Sequence, residues 1–206
     1  MIRQALAALA GAVVVSGCAG HASLPEQGPR SEAVQWIEGP TSDVRTLLLT
    51  PTSVGAVEGA GHQPAALEVG AFFARFQGDS GTVEQLALMI EVHGADVPGL
   101  LQRSRELLLE VDGELFVGEP GQSENSFRVD LVDDDPRATV VIPVTVEILE
   151  QLVEARVVRG RLGLWASFDL PVATRVRFRE LLRALPEGAS STELRATRLR
   201  RVTEAD

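Results

Sequence analysis

Residues able to act as nucleophiles, metal ligands or paired acids are few in this chain of 206 residues, and most stand apart. Cys18 is the single cysteine, so it has no partner for an intramolecular disulfide. No two of the three histidines, His21, His62 and His93, have the spacing of a zinc-binding pair. Asp130, Asp133, Asp134 and Asp135 offer oxygen ligands of the kind calcium takes. They lack the alternating acidic positions closed by glycine that shape a calcium loop, and read as a solvated acidic turn before Pro136. Glu110, Asp112 and Glu114 surround an Asp-Gly pair. Paired catalytic carboxylates normally come from separate elements lining a cleft, so these three read as an exposed hairpin tip. No metal and no cofactor is implied.

Arginine is the one chemistry that is concentrated. Arg156, Arg159 and Arg161 lie in or beside one expected strand, and Arg175, Arg177 and Arg179 lie on a nearby expected helix. Arg159, Arg161, Arg175 and Arg179 are therefore candidate anion-binding residues, able to hold carboxylates or phosphates through charge-assisted hydrogen bonds. The competing reading pairs these guanidinium groups with Glu147, Glu150, Glu154 and Glu180 on adjoining faces. Arg195, Arg198, Arg200 and Arg201 sit in a mixed-charge tail that reads as solvated.

Two short segments resemble known families. Gly78-Asp79-Ser80-Gly81 is similar to the nucleophile segment of trypsin-like serine proteases. The context departs from that family: Thr82 follows where the family has a second glycine, and no Ala-Ala-His-Cys segment lies upstream. Asp, Ser and Gly are also ordinary turn residues. The second segment, Val15-Ser16-Gly17-Cys18, follows the apolar run Ala5 to Val15 and resembles the lipobox of bacterial lipoproteins. A spanning helix needs about 20 apolar residues, whereas an export signal needs about 7–15. The run has the length of the second. The resemblance implies acylation of Cys18 and cleavage before it, giving a signal peptide over residues 1–17. Two or three acyl chains would hold the protein firmly to a membrane. Ala19 after the cysteine favours, by the same resemblance, the outer membrane and a periplasmic face. The alternative is an ordinary export signal carrying a chance cysteine.

Composition limits the rest. The net charge is −10, which argues against nucleic acid and against docking on anionic lipid headgroups. All 19 basic residues are arginine, so every cationic side-chain contact outside histidine is a guanidinium contact. Aromatic residues make up 4% and tyrosine is absent, so the core must be aliphatic and a base-stacking surface is not expected.

The elements that would position these residues are mainly strands. Residues 18–32 are small, polar and punctuated by Pro and Gly, as in a flexible tether. Residues 33–186 read as one globular β-rich domain, and residues 187–206, which lack an apolar stripe, as a disordered tail. Ser31 to Glu38 reads as a first edge strand. Val44 to Thr50 reads as a strand stopped by Pro51, with a loop to Pro64. Alternation from Leu67 to Phe76 and from Leu86 to Val92 predicts a hairpin around Gly78–Gly81. Asp112-Gly113 between two alternating runs predicts another, and Phe127 to Leu131 one more strand. After a short strand, Val140 to Val144, Thr145 is placed to cap a helix carrying Leu149, Leu152 and Val153 on one face. A hairpin through Gly163 and a helix over Thr174 to Leu185 complete the domain. The pattern predicts an antiparallel sandwich or bent sheet with two short helices in the C-terminal third. The α+β alternative separates an early β half from a late mixed half. Two roles fit: a non-enzymatic module making contacts with envelope proteins, or a binding module for a lipid or other envelope ligand. Lipopolysaccharide and peptidoglycan are anionic envelope partners that arginines could grip. An apolar groove lined by Phe72, Phe76, Leu88 and Ile90 would mark the second role. No catalytic set assembles, so no enzyme is expected.

Overall fold

The computed structural model describes residues 33–39, 44–58, 64–78, 81–94, 106–118, 127–132, 135–163, 166–187, 189 and 199–202. The chain is mainly β, with two antiparallel sheets and two helices in its C-terminal part. Sheet A contains β1 (Val34–Glu38), β2 (Val44–Glu58), β3 (Pro64–Gly78), β4 (Gly81–His93), β7 (Phe127–Val132) and β8 (Asp135–Pro143). Its order is β1-β2-β3-β4-β8-β7. Sheet B contains β5 (Leu107–Val111), β6 (Glu114–Gly118), β9 (Val158–Leu162), β10 (Ala166–Asp169) and β11 (Leu199–Arg201), in the order β10-β9-β5-β6-β11. The sheets exchange strands along the chain, so the division into an early and a late half does not hold.

Alternation decides which side chains enter the core. Leu67, Val69, Ala71 and Phe73 of β3 point to the same side as Leu86, Leu88, Ile90 and Val92 of β4. Leu107, Leu109, Val111, Phe116, Val158 and Leu162 of sheet B meet them in one continuous buried cluster. Each such side chain contributes about 1.5–3 kcal/mol when fully withdrawn from water. Phe72, Ala74, Phe76, Ala87 and Met89 belong to a second buried cluster on the opposite face of sheet A. Strand parity thus divides the expected groove: Phe72 and Phe76 lie on one face, Leu88 and Ile90 on the other.

The helices complete the main core, with the second packed on the first and on β1, β2 and β3 of sheet A. Helix α1 (Val146–Glu154) begins at Thr145, whose hydroxyl accepts the backbone N–H of Ile148 at 3.3 Å. Leu149, Leu152 and Val153 form its buried stripe. Helix α2 (Val172–Ala184) buries Phe178 and Leu181, together with Thr174 and Arg175. Thr174 meets Thr52 of β2 at 3.2 Å between hydroxyl oxygens.

Two expectations are corrected. Pro51 does not end its strand; β2 continues to Glu58 with register shifts between Leu49 and Thr52 and between Ser53 and Gly55. A bulge tolerates a residue that cannot donate to the ladder. Gly70 makes room for it, since a Cβ there would stand 2.8 Å from the Leu49 carbonyl oxygen. The tail is also structured over residues 199–201, which pair with β6. Backbone hydrogen bonding holds so short a strand, and three residues leave no periodic signature.

Candidate functional site

The outer face of sheet B carries two of the four candidate arginines. In β9 the buried residues Val158, Gly160 and Leu162 alternate with exposed Arg159 and Arg161. Register places Arg159 between Glu110 of β5 and Asp169 of β10. Its guanidinium lies 3.9 Å from a carboxylate oxygen of each. All three side chains are well exposed, so these ion pairs are weak. Arg161 sits in the next row, between Leu108 and Ser167, and has no acidic neighbour across either strand. The row borders an open groove of about 680 Å³ lined by Leu108, Leu115, Arg159, Arg161, Ser167 and Phe168, among others. A ligand presenting an acid group beside an apolar surface fits this combination.

The other two arginines are elsewhere. Arg175 is buried in α2 and faces the end of α1, where it donates to the carbonyl oxygen of Ala155 and, at 3.3 Å, to that of Arg156. A helix end leaves carbonyls without intrahelical partners and carries partial negative charge, and a guanidinium answers both. Arg175 is therefore occupied by the fold itself. Arg179 is exposed, one turn further along α2. The structure does not gather the four into one patch.

The acids at the hairpin tip are also dispersed. Asp112 has φ +50° and Gly113 φ +92°, the left-handed conformations a tight two-residue turn requires. Glu110 points outward, whereas Glu114 pairs across the strand with inward-facing Val111 and meets Arg201 at 2.7 Å. The Asp112 carboxylate accepts backbone N–H groups from Val157 and Arg156, which hold its pKa below the usual aspartate value. None of the three carboxylates shares a cleft with another.

A polar cluster that the sequence reading did not assemble lies on sheet A. Glu68 of β3 stands directly opposite Glu91 of β4, and His93, two residues on, points to the same side. Arg137 of β8 is the cross-strand partner of His93 and reaches Glu91 at 3.4 Å. Beyond it, Arg128 and Asp130 of β7 pair at 2.6 Å. Glu91 is 6% exposed. Burial pushes its pKa up, while Arg137 opposes that shift. The Nε2 atom of His93 is buried, without a hydrogen-bond partner, and 3.9 Å from a carboxylate oxygen of both Glu68 and Glu91. Histidine spacing could not reveal this group, because one histidine is joined by an acid of its own strand, Glu91, and by one of the neighbouring strand, Glu68. The usable signal was two polar residues, Glu91 and His93, at alternate positions of an apolar strand.

Cys18, the lipobox, His21, His62, Asp79, Ser80, Asp133 and Asp134 lie outside the described residues. Gly78 and Gly81 close the β3–β4 hairpin as a cross-strand pair, as the turn reading expects. No protein-family model matches the chain, and neither a curated protein nor a solved structure matches it.

Proposed function

We propose that this chain is a lipid-anchored protein of the bacterial cell envelope, held at the outer membrane through Cys18 and facing the periplasm. Its two-sheet domain acts by binding, as a non-enzymatic contact module for envelope proteins. The observation that carries the reading is the segment Val15-Ser16-Gly17-Cys18 behind an uncharged apolar run. Among the described residues no helix is long and apolar enough to cross a membrane, and the anchor reading requires none. Among the described residues, the dispersal of the candidate arginines and of the hairpin-tip acids favours recognition over catalysis.

The groove on sheet B supports a second reading, in which the ligand is an anionic envelope component. Arg161 carries it, since it lines the groove with no acid across either neighbouring strand.

Cell fractionation tests the main reading. Wild-type protein is expected in the detergent-rich phase, and Cys18→Ser in the aqueous phase. Equal detergent partition of the two proteins would contradict the anchor.

A further inference from the structure

On the face of sheet A turned away from sheet B, one oxygen each from Glu68 and Glu91 and one nitrogen of His93 lie within 4.8 Å of one another. We propose that this group binds a divalent transition-metal ion. Glu68 and Glu91 each give one carboxylate oxygen, and His93 gives Nε2.

Register makes the first argument. Glu68 and Glu91 are direct cross-strand partners, so two carboxylates are held opposite each other on paired strands. Like charges so placed destabilise a sheet unless a cation stands between them. Arg137 answers only part of that demand. It touches Glu91 through one nitrogen at 3.4 Å, and its own Nε is buried without a partner. Asp130 and Arg128 satisfy each other one strand away.

His93 makes the second argument. Its Nε2 is withdrawn from solvent and has no hydrogen bond, yet it is aimed between the two carboxylates. A separation of 3.9 Å from each is too long for a hydrogen bond. It suits an ion between the three atoms, which would stand roughly 2.0–2.5 Å from each, the range of metal–nitrogen and metal–oxygen bonds.

The donor set fixes the class of ion. An imidazole with two carboxylates suits Zn(II), Mn(II) or Fe(II), whereas a set of oxygens alone would suit calcium or magnesium. The Glu68 side chain is 35% exposed, so solvent reaches one side of the group and a water can complete the coordination. Backbone pairing fixes all three ligands on adjacent strands, which limits rearrangement on binding.

The test uses the full chain in detergent solution, titrated with Zn(II) by calorimetry and with Co(II) by visible absorption. One ion per chain is expected, with Co(II) ligand-field bands in the visible. Removing either of the two more buried ligands should cost more than the 10–100-fold loss typical of outer-shell changes, so Glu91→Gln and His93→Ala should each weaken binding by at least about 100-fold. Glu68→Gln, at a half-exposed position, provides a ligand change less able to disturb folding and should weaken binding at least about 10-fold. Arg137→Gln removes the competing cation and should tighten binding. A His21→Ala/His62→Ala double variant should bind as wild type does. Absence of saturable binding overturns the proposal, as does binding that survives in the Glu68, Glu91 and His93 variants or is lost in the His21/His62 variant.

Discussion

The Asp112 carboxylate accepts the backbone N–H of Val157 at 2.9 Å, tying the β5–β6 turn to the chain that enters β9. Arg156 donates to the same carboxylate at 3.0 Å, and Asp112 returns its own N–H to the Val157 carbonyl at 3.0 Å. One side chain thus joins a local hairpin to a strand more than 40 residues away. These donors favour the ionised form, so Asp112 titrates below its ordinary value of 3.8. A carboxyl depressed by folding adds stability that is complete above the unfolded pKa and is lost as pH falls through the folded one. Asp112→Asn keeps a residue that tolerates positive φ but removes the charge. It should unfold at lower urea than wild type at neutral pH, and the difference should shrink and close as pH falls through the lowered pKa of the folded state. A difference that is constant with pH would contradict this assignment.

Arg175 links the two helices from within. Its guanidinium meets carbonyl oxygens at the end of α1, and its replacement leaves the buried Ala155 acceptor without this donor. Arg175→Met should cost about 2 kcal/mol, the scale of a charge-assisted bond lost with its acceptor left unpaired. Arg179→Met, one turn along on the exposed side, should change stability by less than about 0.5 kcal/mol. Urea denaturation of the two variants separates them, and equal effects would deny the difference in their roles.

Much of this arrangement was readable from residue order. The Asp112-Gly113 turn, the Thr145 cap and the alternation of Leu86, Leu88, Ile90 and Val92 are local features, and local geometry decides them. Arg175 was not readable. It shares an i, i+4 face with Arg179, and only the packing of α2 on α1 determines which of the two is buried. Pro51 misled because a proline normally ends a ladder, while the bulge that accommodates it depends on Gly70 in the next strand. The Glu68, Glu91 and His93 group needed the register of β3 against β4, which one residue of slip would abolish. Strand β11 was invisible because three residues carry no periodicity.

Gly160 and Phe168 form a cross-strand pair in β9 and β10, and the aromatic ring occupies the space where a Cβ on residue 160 would lie. Gly160→Ala should therefore destabilise by about 1–3 kcal/mol through overpacking. Phe168→Leu in the same chain frees part of that space. The double variant should lose less than the sum of the two single changes, by about 0.5 kcal/mol or more. Additive losses in thermal unfolding would show that the two residues do not compete for one volume.

We propose that Cys18 is the lipid-bearing first residue of the mature protein. Mass spectrometry of the N-terminal peptide, taken from protein purified out of its native membrane, tests it most directly. A peptide that begins at Cys18 and carries the mass of a thioether-linked diacylglycerol is the expected result. A mature chain that begins elsewhere, or one that keeps Cys18 as an unmodified thiol, would contradict it.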